Sequence, residues 1–176
     1  MKFLSDIRLL LLGLWLGAAV FFVAVAQISF AVLPQRELAG AVVGRSLSIL
    51  NFSGLAIAFV LLVLSLATGR NTNKLLVWLD RGLVILLAIA CAVGQFVIGL
   101  MLASVRSQMG GKPIDEFAAD DPLRIQFNQL HEYSVWTLGA ALIAGLIAFF
   151  IIANRRVATP KPLADEPYNF EKEFKI

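Results

Sequence analysis

The run LLLLGLWLGAAVFFVAVAQISFAVL, Leu9 to Leu33, carries no charged side chain over 25 residues. As a helix it would be about 38 Å long, enough to cross a hydrocarbon core of roughly 30 Å. Both its ends are marked. Lys2 and Arg8 stand before it and Pro34 follows it. Proline has no N–H with which to continue a helix, and it restrains the residue before it. A cleaved secretory leader uses similar ingredients, with Lys2 and Arg8 as the basic head and Ala24-Val25-Ala26 as the small-residue site. Apolar character runs on past that site through Ile28, Phe30 and Leu33, which favours an uncleaved span.

Composition extends this reading to the whole chain. Of 176 residues, 59% are hydrophobic and 15% charged, where a soluble domain carries about a quarter charged. A charge at the bilayer centre costs at least about 2.5–3.5 kcal/mol, and the charges here gather at the ends and connections. The net charge of +3 is small and no basic run is interleaved with aromatics, which argues against a nucleic-acid partner. Cys91 is the single cysteine; it excludes an intrachain disulfide and a cysteine-based metal cluster.

Three more apolar runs follow. Gln35-Arg36-Glu37 is a tight connection, Leu38 to Gly44 reads helical, and the second span covers 46–68. Gly69 to Lys74 is a turn rich in helix breakers. Leu75 to Leu79 is an apolar lead-in, with Asp80-Arg81 expected at the membrane interface before a third span over 82–105. Arg106 to Asp121 is the one long connection, made irregular by Gly110, Gly111 and Pro113. Asp120 or Asp121 can cap a last helix, with Pro122 at its first position. That helix begins as an amphipathic surface segment and crosses at 134–154. Residues 1–158 thus form an all-α, four-helix transmembrane bundle, and 159–176 a Pro-rich, charged tail read as disordered and cytoplasmic.

Four spans put both termini on one side. With the termini inside, the cytoplasmic flanks hold eight Lys/Arg (Lys2, Arg8, Arg70, Lys74, Arg81, Arg155, Arg156, Lys161), and the opposite flanks five (Arg36, Arg45, Arg106, Lys112, Arg124). The excess predicts cytoplasmic termini in a cell (inner) membrane. On that topology Gln27, Asn51, Gln95, His131 and Ser134 lie between the midplane and the outer surface. A buried amide in lipid is costly unless paired, so these side chains are expected to face one another or a wet pocket, with Arg45 near its mouth.

His131 is the only histidine. Phe127, Leu130, His131 and Ser134 fall at i, i+3, i+4 and i+7, one face of a helix. Ser134 has no acidic orienter, so no catalytic constellation is read and an enzyme is not expected. With one histidine, bis-histidine haem ligation within the chain is impossible, so haem would need Met101 or a second subunit. No cofactor or metal site is expected. Gly13-x-x-x-Gly17, Gly40-x-x-x-Gly44 and Ala140, Ala144 and Ala148, with Ala141 and Gly145 beside them, are small-residue seams. They suit packing within the bundle or between copies.

Leu130-His131-x-x-Ser134 at the head of the last span resembles the signature of the transmembrane-protein-205-like family. So do Trp15-x-Gly17, the aromatic run after it, Leu33-Pro34 and the Gly40-to-Gly44 segment. In the family an Asn often stands two turns after the histidine; here the residue is Leu138. The resemblance implies a four-helix membrane domain of unknown biochemical function. Two functional classes follow: a non-catalytic protein that assembles with lipids, further copies or other membrane proteins, and a protein that handles a small solute or metal ion in the polar layer. A haem-carrying subunit is a remote third.

Overall fold

Each apolar run becomes one long helix, and each helix continues past the hydrocarbon boundary read from composition. The computed structural model describes residues 2–67 and 74–154. The breaker turn at 69–73, the Arg155-Arg156 pair and the tail at 159–176 lie outside the described residues. The helices are α1 (Lys2–Val32), α2 (Arg36–Ala67), α3 (Lys74–Ala92), α4 (Gly99–Gln108) and α5 (Pro122–Asn154). A π-helical segment, Val93–Ile98, joins α3 to α4, so the third span is one continuous rod, Lys74–Gln108. A 3₁₀ turn, Ile114–Glu116, lies in the long connection. Four of these rods are long and apolar enough to cross a membrane.

The helices close into a ring, with α1 packed on α2, α2 on α3, α3 on α5 and α5 back on α1. Two ends are thereby defined. At the terminal end α1 and α3 begin and α2 and α5 finish. At the hairpin end α1 and α4 finish and α2 and α5 begin. Outward faces are apolar, with Phe21, Trp78, Phe59 and Trp136 among the exposed large side chains, as expected of a surface that meets lipid tails.

The expected helix stops are in place. α1 ends at Val32, two residues before Pro34. Gly110 and Gly111 take φ values of 64° and 79°, left-handed conformations open to glycine at little cost. Asp121 caps α5: its carboxylate accepts the Leu123 N–H at 2.8 Å, and Pro122 is the first helical residue.

One boundary differs in kind. Leu75 to Arg81 is helical, forming the first two turns of α3, and Asp80 is fully buried within the bundle. A backbone in the headgroup layer still satisfies its own polar groups best as helix. With no Gly or Pro between Lys74 and Arg81, nothing interrupts it.

Packing rather than hydrophobicity must hold the rods together in lipid. The main core is built on Trp15, Leu12, Leu61, Leu87 and Ile152. Gly54 lets Trp15 come close: a Cβ there would lie 2.8 Å from its indole nitrogen and 2.6 Å from Cys91 Sγ. Through that gap Trp15 Nε1 donates to the Leu50 carbonyl at 3.1 Å, so the buried indole N–H is satisfied. On α5 the buried small residues are Ala141, Ala144, Gly145 and Ala148, with Leu16 and Leu87 against Gly145. Ala140 turns outward. A second, smaller core at the hairpin end gathers Ile98, Val105, Met109 and Leu130.

Candidate functional site

The six polar residues singled out in the sequence do not converge. Gln27, Arg45 and His131 are exposed, Gln95 and Ser134 half-buried, and Asn51 alone is buried. No hydrogen bond joins any two of them. Mutual contact, one of the two arrangements expected of these residues, is not made. Depth along a helix follows from counting residues, but the direction a side chain takes depends on packing. The face that α5 buries runs through Leu130, Ala141, Ala144, Ala148 and Ile152. His131 lies about 100° from Leu130 on that helix and points away. Asn51 is packed on the π-helical segment, its carboxamide nitrogen 3.2 Å from where a Cβ of Gly94 would be. Glycine at 94 makes room for the amide.

The two best-formed grooves are apolar and open on the outer surface. One is lined by Leu10, Gly13, Gly17 and Phe21 on α1. The other is lined by Val97, Met101, Tyr133 and Trp136, between the third span and α5. His131 lines neither. Among the described residues no three His, Cys, Asp or Glu side chains come together as a metal site.

The terminal end holds a feature that composition did not reveal. Arg8 Nη2 donates to Asp80 Oδ2 at 2.7 Å, and the two side chains are 2% and 0% exposed. Arg81, next in the chain, donates from Nε to the Ser65 hydroxyl at 3.1 Å and from Nη2 to the Ser65 carbonyl at 3.0 Å. Ser65 lies in the last turn of α2, where carbonyls lack partners within the helix. A cation there also suits the negative end of the helix dipole. Adjacent residues of α3 thus fasten α1 and α2. A signal existed in the sequence. Arg8 stands directly before the first apolar run and Asp80 two residues before the third, so both occupy one level of the bundle.

The hairpin end is fastened by arginines. Arg36 pairs with Asp115 at 3.1 Å on the surface. Arg124 donates to the Phe117 carbonyl at 2.7 Å. The Arg106 guanidinium lies over the Phe127 ring, 5.5 Å from its centroid. It also fills the notch left by Gly40 and Gly44, whose Cβ positions would be 3.1 and 3.9 Å from its nitrogens. The Gly40-x-x-x-Gly44 seam therefore receives an arginine head, not the backbone of another helix.

Four apolar rods closed round a packed core, with apolar outer faces, define a polytopic membrane protein of the four-helix class. Within that class the chain belongs to the family described as Domain of unknown function (DUF4149), which matches residues 10–110. The match takes in most of α1 and all of α2, α3 and α4, and ends before α5, so His131 and Ser134 lie outside it. No match was found among curated proteins or among solved structures.

Proposed function

We propose that this protein is non-catalytic and works by assembly, its bundle binding lipids or other membrane proteins through its outer faces. The observation that supports this reading is the outward direction of Gln27, Arg45 and His131. Three of the six polar side chains read as lining an internal site are instead offered to the surroundings, and the grooves on α1 and between the third span and α5 are apolar. The proposal includes a finer placement among transmembrane-protein-205-like proteins, resting on Leu130-His131-x-x-Ser134 and Trp15-x-Gly17. It also sets the protein in a cell (inner) membrane with both termini cytoplasmic, resting on the Lys/Arg asymmetry.

Assembly is tested by crosslinking in native membranes followed by purification in mild detergent. Discrete complexes with lipid, with further copies or with another membrane protein are expected. A lone, lipid-free chain would refute the reading. Orientation is tested with Lys112→Cys, which should react with an impermeant maleimide from outside the cell. Cys91 is 1% exposed and should stay silent.

One observation favours the second reading, a site for a small solute or ion. Asn51 is 6% exposed and is the one buried member of the six polar residues, packed against Gly94 of the π-helical segment. An amide inside an apolar bundle is stabilised by a hydrogen-bonding partner, and a polar guest beside Asn51 would serve as one. If so, Asn51→Leu removes ligand-dependent stabilisation; unchanged stabilisation by the same solutes would dismiss the site.

A further inference from the structure

We propose that Arg106, seated between the Gly40–Gly44 notch and Phe127, binds the phosphate of an anionic phospholipid headgroup together with Arg45. The guanidinium is held on two sides. The backbone of α2 at Gly40 and Gly44 lies against its nitrogens, and its Cζ lies over the Phe127 ring, 5.5 Å from the centroid. Arg106 as a whole is exposed, so the residue remains open to the surroundings. Among the described residues neither Arg106 nor Arg45 has a carboxylate within salt-bridge distance, and Asp115 is already paired with Arg36. A guanidinium fixed by its neighbours loses little freedom on binding, and its planar fork suits two phosphate oxygens.

Position selects a lipid over a free anion. Arg106 directly follows the apolar run at 82–105, and Arg45 directly precedes the run at 46–68. Both therefore stand where hydrocarbon gives way to headgroups, the level of lipid phosphate. Arg45 follows Gly44 in the chain, so the second cation stands at the height of the notch, about 100° round α2 from Gly44. The connections and helix ends here carry five basic side chains and six acidic ones (Glu37, Asp115, Glu116, Asp120, Asp121, Glu132). The attraction is therefore local to the notch and not a general field. The glycines are part of the site, since a larger side chain at position 40 would displace the guanidinium while leaving every charge in place.

This inference deepens the lipid part of the assembly reading. The test uses the full chain in detergent, with phosphatidylglycerol, phosphatidylcholine or inorganic phosphate added at equal concentration. Retention is read by native mass spectrometry and stability by thermal melting. Phosphatidylglycerol should be retained on the order of tenfold more strongly than phosphatidylcholine, the effect of one charge-assisted contact. Arg106→Gln and Gly40→Leu should each remove that preference, and Arg45→Gln, a change at an exposed residue, should reduce it. Helix content by circular dichroism identifies any variant that has failed to fold, and Arg45→Gln then carries the test. Equal retention of the two lipids by the unmodified protein overturns the proposal. So does a folded Arg106→Gln that keeps the preference, or equal stabilisation by inorganic phosphate. Crosslinked protein partners should survive Arg106→Gln, so loss of the lipid site and loss of assembly are read separately.

Discussion

Removing one member of the Arg8–Asp80 pair should be the most damaging single change at the terminal end. Asp80→Ala leaves a guanidinium that is 2% exposed without its anion. With charge centres about 4 Å apart and an effective dielectric constant of about 20, the lost attraction is about 4 kcal/mol. Deleting one partner of a buried pair commonly costs about 3–5 kcal/mol, because the survivor stays buried and uncompensated. The two helices so joined are far apart in sequence, the paired positions being 72 residues apart. The cost should therefore appear in global stability, not as local fraying. The double variant Arg8→Met/Asp80→Leu should recover most of the loss, since an apolar pair of similar volume is often neutral. The assay is reversible unfolding in bicelles for the parent, Asp80→Ala, and the cycle of Arg8→Met, Asp80→Leu and their double. A coupling of at least about 2 kcal/mol is expected from the cycle. If Asp80→Ala costs less than about 1 kcal/mol, or the single losses simply add, the pair does not hold α1 to α3.

Gly54→Ala should destabilise by about 1–3 kcal/mol, because its Cβ would meet Cys91 Sγ and the Trp15 indole. Adding Cys91→Ala should return part of that loss, and unfolding that ignores the second change would refute the contact. His131→Ala should shift stability by no more than about 0.5 kcal/mol, as for an exposed residue; a large drop in melting temperature would place the imidazole in a contact. Asp121→Ala should cost about 1 kcal/mol through the lost cap on α5. Hydrogen exchange should speed first at Leu123 and its neighbours, and unchanged protection there would count against the cap.

The four rods were legible because hydrocarbon imposes a length and Pro34, Asp121 and Pro122 mark their own roles. What the sequence misplaced was direction. Gln27 and Asn51 each lie within the helix expected to hold them, yet one faces out and the other in, since α1 and α2 are apolar on nearly every side and offer no periodic stripe to read. Arg8 and Asp80 each resembled the usual charge at the end of a span. Their pairing is a tertiary fact, visible in the sequence only as equal height at one end of the bundle. The π-helical segment also left no trace, because an inserted residue does not alter composition.

That segment divides the third span between two clienteles. Before it, Val84, Leu87 and Cys91 serve the main core; Ile98 at its end and Val105 and Met109 after it serve the small core beneath α5. One extra residue turns whatever follows by about 100°. The span thus behaves as two helices spliced out of phase, each half keyed to its own neighbours. Deleting one residue between Val93 and Ile98 would restore a regular helix and yet unlock one half. The same deletion elsewhere in the span would leave the splice intact but out of place. Length in this rod is therefore a measure of rotation as much as of reach.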